Sequence, residues 1–231
     1  MLGSFLDLIF PKYCVGCNKE GTLLCQTCQK QVTQKDLICP QCKKIAFAGL
    51  THPICRRWYS LDGLWSFGAF EGVLRKSIQK LKYRWVTEHA DILMDQVIEY
   101  LAISSPEFFQ QIKRDRGIGW AIVPVPLHWQ RQNWRGFNQS ALIAKKLAKS
   151  FGLPYLELLK RTKNTTSQTT YDAATRRLNI KNAFSLNSSI SQYPNILLID
   201  DVWTTGSTLQ ECCYVLKKNG VKKVWGLTLA R

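Results

Sequence analysis

The run NILLID at 195–200 is apolar at four successive positions, 196–199, and leads straight into the adjacent acids Asp200 and Asp201. A strand with one wet face alternates apolar and polar residues, whereas a strand apolar on both faces must be covered on both. This segment therefore demands a sheet with helices above and below it. LWSFGAF (64–70), WAIVPVPL (120–127) and KVWGLTLA (223–230) read as further strands. Helical spacing appears between them. Leu74, Ile78, Leu81 and Trp85 share a face in 72–85, as do Leu93, Val97 and Leu101 in 88–103. Asn138 is placed to cap a helix over 139–151, and a helix from Ser207 ends before Gly220. Alternating strands and helices predict an α/β fold with a parallel sheet. The polar stretch to Gly119 reads as a helix end and loop, and 160–182 as a long loop.

After Asp201 the chain passes into Thr204, Thr205, Gly206, Ser207 and Thr208, then into the helix. Ligands of open parallel sheets sit beyond the carboxyl ends of the strands, where the two acids would stand. A helix start offers unpaired N–H groups and a partial positive charge, which suit a phosphate. Glycine allows close backbone approach, and the hydroxyls add donors. Two carboxylates accept hydrogen bonds from vicinal hydroxyls and help to hold a divalent cation. The pattern is that of a site for a ribose 5-phosphate.

Seven of the nine cysteines crowd into residues 14–55, six of them in C-x-x-C pairs. Disulfide scaffolds seldom use that spacing, whereas metal sites in a reducing compartment do, so the expected location is the cytoplasm. Cys14, Cys17, Cys25 and Cys28 have the spacing of a zinc ribbon, a closed structural site of four thiolates. Cys39, Cys42 and Cys55 form a second set of three. His52 completes that set, or it stands empty, or a single interleaved site uses Cys14, Cys17, Cys39 and Cys42. Cys212 and Cys213 lie inside a helix and read as packing.

The chain carries 32 basic and 16 acidic residues, a net charge of +16, which favours a polyanionic partner. HWQRQNWRGF (128–137) interleaves Trp129, Trp134 and Phe137 with Arg131 and Arg135, a composition suited to single-stranded nucleic acid or to core packing. No stretch reaches the roughly 18–20 apolar residues of a membrane span. Leu2, Phe5, Leu6 and Ile9 read as a short amphipathic helix stopped by Pro11.

LLIDDVWTTGSTL resembles the phosphoribosyl pyrophosphate signature of type I phosphoribosyltransferases. VPVPLHWQRQNWRGFNQS (123–140), LLKRTKNTTSQTTYDAATRRLNIKNAF (158–184), the cysteine pairs and the closing LTLAR are similar to the ComF family, competence and DNA-uptake relatives of those enzymes. The resemblance implies a zinc-ribbon module over 1–60 and a phosphoribosyltransferase-like domain over 61–231. It implies that Asp200 and Asp201 face the ribose hydroxyls and that Thr204 to Thr208 cradle the 5′-phosphate. The turn at Val125, with Arg131 and Arg135, would lie by the pyrophosphate and its Mg²⁺. Arg161 and Arg177 would arrive on a lid formed by 160–182. The family places a cysteine where this chain has Trp58.

The implied function is binding of phosphoribosyl pyrophosphate with Mg²⁺ in a protein of DNA uptake, with single-stranded DNA and other uptake proteins as partners. If the site turns over, the protein is a phosphoribosyltransferase, a glycosyltransferase. The alternative is a non-catalytic, zinc-bearing single-strand binding factor whose phosphoribosyl pocket is vestigial or regulatory.

Overall fold

A computed structural model describes residues 11–81, 87–163, 179–188 and 192–231, without the side chains of 87–89 and 131. Four strands, β1 (Gly63–Gly68), β2 (Trp120–Pro124), β5 (Asn195–Val202) and β6 (Lys223–Ala230), form a sheet in the order β1-β6-β5-β2. All three pairings are parallel. The carboxyl ends of the strands therefore share one edge of the sheet. Beyond β2, Tyr155 pairs in parallel with Ile122 through an isolated bridge. A separate antiparallel pair joins β3 (Leu159–Arg161) to β4 (Phe184–Leu186).

The continuous apolar strands do what their pattern requires. Along β5, Leu197 and Ile199 enter one core, while Ile196 and Leu198 enter the other. The first core is closed by α1 (Gly72–Lys80), α2 (Thr87–Ser104), α3 (Glu107–Arg114) and α5 (Gln139–Phe151), through Leu74, Val97, Phe108 and Leu147. The second is closed by α6 (Ser207–Lys218), through Leu209, Cys212, Cys213 and Leu216. Both α6 cysteines are buried packing residues. The result is an α/β architecture with a parallel sheet covered on both faces.

Three elements differ from the sequence expectation. α3 occupies the stretch expected to be a helix end and loop. It buries only Phe108 and Ile112, four residues apart, too short an apolar stripe to stand out. α4 (Trp129–Arg135) has little apolar periodicity and is held by its ends. His128 Nδ1 accepts from the Gln130 amide at 3.4 Å, and Gly136 closes it at φ +80°. β3 takes the first residues of the expected long loop and pairs with β4 just past its end. Residues 164–178 of that loop, the amphipathic helix of the first ten residues and Trp85 lie outside the described residues. α1 ends at Lys80 within them.

The cysteine segment has little regular structure and leans on both cores. Cys14, Leu24 and Cys28 join the α1–α2 side, and Ile38 joins the α6 side. Among the described residues no helix is long and apolar enough to cross a membrane.

Candidate functional site

β5 runs out at the carboxyl edge of the sheet on Asp200, Asp201 and Val202. Asp200 Oδ1 accepts hydrogen bonds from the Ser140 hydroxyl and the Asp201 amide, each at 2.9 Å. Ser140 stands in the first turn of α5, whose cap Asn138 accepts from the Ser140 amide at 3.0 Å. The same Asn138 donates to the Val125 carbonyl at 3.0 Å, and the Val125 amide donates to Ile199 at 2.8 Å. One network thus ties the turn after β2, the start of α5 and the acid pair together. Burial, and then the charge of Asp201, push the Asp200 carboxyl up to about 7, against the Ser140 and Asp201 donors and the charge of Arg161. Part of its surface stays accessible, so it is crowded by protein without being sealed.

The bend after the acids is shaped by Trp203 and Gly206. Gly206 has φ +82° and is the N-cap of α6, offering no capping oxygen of its own. A Cβ there would lie 2.3 Å from the Trp203 ring. Thr205 Oγ1 lies 2.9 Å from Ser207 Oγ and accepts from the Ser207 amide at 3.4 Å. The buried Trp203 Nε1–H has no acceptor among the described residues. Such a bend, with a close backbone approach and donors at a helix start, fits an anion.

Arg135 donates to Gln139 Oε1 at 3.2 Å, and its Nε–H has no acceptor among the described residues. Arg161 lies over the Phe184 ring, 5.4 Å from its centroid. Its charge reaches Asp200, and it also lines a neighbouring cleft of about 430 Å³ with Trp129, Phe137, Lys145, Glu157 and Lys160. That cleft lies beside the acid pair, not over it. The side chain of Arg131 and the whole of Arg177 fall outside the described residues.

The cysteines gather into two clusters, so the interleaved arrangement is not formed. Cys14, Cys17, Cys25 and Cys28 bring their sulfurs within 4.8 Å of one another, as Cys39, Cys42, His52 and Cys55 do with their ligand atoms. Tetrahedral zinc with bonds of about 2.3 Å spaces sulfurs roughly 3.8 Å apart. Cys17 Sγ and Cys25 Sγ are 3.7 Å apart. In the second cluster His52 Nδ1 is 3.3 Å from Cys42 Sγ, while Nε2 is 3.1 Å from the Ile45 carbonyl. Donation to that carbonyl puts the proton on Nε2 and leaves the Nδ1 lone pair for a metal.

The thiols are tuned unequally. Burial opposes ionisation of Cys14, but the amides of Cys25, Cys17 and Gly16 outweigh it and bring the thiol down to about 6. Burial and the neighbouring sulfurs push Cys28 up to about 12. Cys39 is likewise lowered by the amides of Cys42, His52 and Gln41 against its burial, and Cys55 is raised by burial and its neighbours to about 11. Each cluster thus holds protons that a bound cation must displace.

No family model matches the chain. It is 35% identical over 217 residues to Competence protein F of Haemophilus influenzae, covering 90% of each chain. It is 32% identical over 234 residues to the DNA utilization protein YhgH of Salmonella typhimurium, covering 95% of this chain and 98% of that one. The chain belongs to the ComF family. With Competence protein ComFC of Bacillus subtilis the identity is 25% over 225 residues, 92% of this chain and 86% of that one.

The second cluster has His52 as its fourth member beside Cys39, Cys42 and Cys55. Trp58, where the sequence resemblance implies a further cysteine, packs in an aromatic group with Tyr59 at 5.3 Å and Tyr214 at 5.6 Å between ring centroids. Sequence reasoning missed Ser140 and Gln139, both buried beside the site. Their neighbours Asn138 and Arg135 could have drawn attention to them, but a serine in the first turn of a helix carries no signal of its own.

Proposed function

We propose that the protein binds phosphoribosyl pyrophosphate at the carboxyl edge of β5 and serves the handling of DNA during uptake. The observation that carries the first part is the adjacency of two acids to a bend of positive-φ glycine and helix-start amides. In this reading the zinc-ribbon module and the sheet domain meet near residue 60. Asp200 and Asp201 accept hydrogen bonds from the 2′- and 3′-hydroxyls of the ribose. The amides and hydroxyls of Thr204 to Thr208 hold the 5′-phosphate. The turn at Val125 borders the pyrophosphate, and Arg135 and Arg161 offset its charge, joined by Arg131 and Arg177. The Val125 amide is already engaged with Ile199, so its part is to fix the turn.

A leaving pyrophosphate carries charge that must be neutralised as the anomeric carbon becomes electron-poor, and Mg²⁺ bound with the substrate supplies part of that neutralisation. The chain's own groups orient the sugar and compensate the phosphates. Zinc fits both cysteine clusters, with closed thiolate or thiolate–imidazole sets that are structural rather than reactive.

Calorimetry with phosphoribosyl pyrophosphate and Mg²⁺ tests this reading. Heat is expected from the wild type and none from an Asp200→Asn/Asp201→Asn double variant; equal heats reject it. Release of pyrophosphate in a pool of bases and amines decides whether the site turns over.

The DNA part is supported by the names of the relatives and by the surface of α4. Trp129 and Trp134 are 61% and 75% exposed, so they are not core residues. Arg135 lies beside them, and eleven Lys or Arg face only two acids between residues 126 and 199. Exposed aromatic rings among cations suit single-stranded DNA. Fluorescence anisotropy across a salt series should give a log–log slope of several units, and a slope near zero rejects the reading.

A further inference from the structure

The two cysteine clusters brace different parts of the fold. The first leans on the α1–α2 layer: Gly16, between its cysteines, lies against Val73, and Gln96 of α2 donates to the Gln29 carbonyl at 2.9 Å. The second leans on α6, and it does so along one line. Gln210, Tyr214 and Lys217 are spaced four and three residues apart, on a single face of the helix. Gln210 donates to the carbonyl of Pro40 at 2.8 Å. The Tyr214 ring meets Trp58 at 5.6 Å and Tyr59 at 6.2 Å. Lys217, with its side chain only 8% exposed, pairs with Asp62 at 2.8 Å.

Pro40 lies inside the Cys39–Cys42 knuckle, and Trp58 stands three residues after Cys55. The relative position of these two contacts is set where the knuckle joins His52 and Cys55. Regular structure between them is limited to two isolated bridges, Ile38 with Ile45 and Leu50 with Gly63 of β1, and two single 3-10 turns. The other end of the same helix is the bend of Thr204 to Ser207, and the Gln210 amide itself donates to Gly206 at 3.0 Å. The residue that grips the knuckle therefore also makes the first helical bond after the bend.

We propose that a divalent cation such as zinc, held by Cys39, Cys42, His52 and Cys55, fixes α6 and so sets the affinity of the bend at its N-terminus for a sugar phosphate. The inference rests on the phosphoribosyl reading above and adds its control. Linkage makes the coupling reciprocal: bound sugar phosphate also retains the metal of this cluster, while the metal of the first cluster is indifferent to it.

The test uses the full chain in four forms: wild type, Cys39→Ser/Cys42→Ser, Cys17→Ser/Cys25→Ser, and Gln210→Ala/Tyr214→Ala. Released zinc is counted colorimetrically, amide hydrogen exchange is followed across 205–211 without ligand, and phosphoribosyl pyrophosphate binding is measured by calorimetry. Two zinc ions are expected in the wild type and in the α6 variant, and one in each cysteine variant. Loss of the second cluster should speed exchange across 205–211 and weaken binding by roughly fivefold or more, the scale of ordinary coupling between sites. The α6 variant should weaken binding with both metals retained. His52→Cys should keep two ions and wild-type exchange. Wild-type exchange in Cys39→Ser/Cys42→Ser, or an equal change in Cys17→Ser/Cys25→Ser, overturns the proposal. A wild type that binds no phosphoribosyl pyrophosphate sinks the underlying functional reading, while the exchange comparison still decides whether the metal restrains the helix.

Discussion

Ser140 donates its hydroxyl to Asp200 at 2.9 Å, joining residues 60 apart in sequence across the carboxyl edge of the sheet. The bond favours the ionised acid, because a carboxylate accepts it more strongly than a neutral carboxyl does. It opposes burial and the charge of Asp201, which together hold Asp200 near 7. Ser140→Ala should therefore raise the Asp200 pKa further. If the ionised acid receives the ribose hydroxyls, the midpoint of sugar-phosphate binding against pH should move up. Carboxyl NMR titration and calorimetry at several pH values check the two parts separately.

Asp200 also has a consequence for stability. Its folded pKa of about 7 lies above the ordinary 3.8, so the folded state holds the proton more tightly than the unfolded chain. Its contribution to stability then falls as pH rises from about 4 to about 7 and is level beyond. Asp200→Asn removes the ionisation. The variant should gain stability over the wild type between pH 5.5 and 8.5, by on the order of 1–2 kcal/mol, while losing sugar-phosphate binding. Urea unfolding at the two pH values measures the gain, and a constant difference would refute the assignment.

The parallel sheet was legible because β5 and β6 are apolar at successive positions, which only a doubly covered strand tolerates. α6 was legible from Ser207 to its end before Gly220, and Asn138 marked the start of α5 by its capping chemistry. α3 and α4 were not. One buries two residues, and the other depends on a histidine cap and a left-handed glycine, neither of which leaves a periodic trace. The spacing of the C-x-x-C pairs was enough to group Cys14, Cys17, Cys25 and Cys28, and it offered His52 as one way to complete the second set. The fold selects that completion from the alternatives, bringing His52 to Cys39, Cys42 and Cys55. The acid pair and the small residues of the bend stood out together, since both are local in sequence. Ser140 and Gln139 reach that neighbourhood only through the fold.

Gly206 is constrained twice, by its φ of +82° and by the Trp203 ring 2.3 Å from where a Cβ would stand. Gly206→Ala should destabilise the protein by about 1–3 kcal/mol and abolish sugar-phosphate binding at the bend. Adding Trp203→Val should recover the steric share but not the backbone share. A double-mutant cycle on unfolding free energy should then give a clear interaction energy between the two positions. Strict additivity would mean that the indole does not restrain the bend.

Trp134 is 75% exposed at the end of α4, so removing it leaves no cavity. Trp134→Ala should keep the unfolding midpoint of the wild type. If the ring serves as a stacking platform, single-stranded DNA affinity should fall by about 1–3 kcal/mol, with the salt slope unchanged because no phosphate contact is lost. An Arg135→Gln variant should do the reverse in part, lowering the slope by about one unit. Anisotropy titrations of both variants over the same salt series separate stacking from charge. If neither variant differs from the wild type, α4 is not where the strand lies.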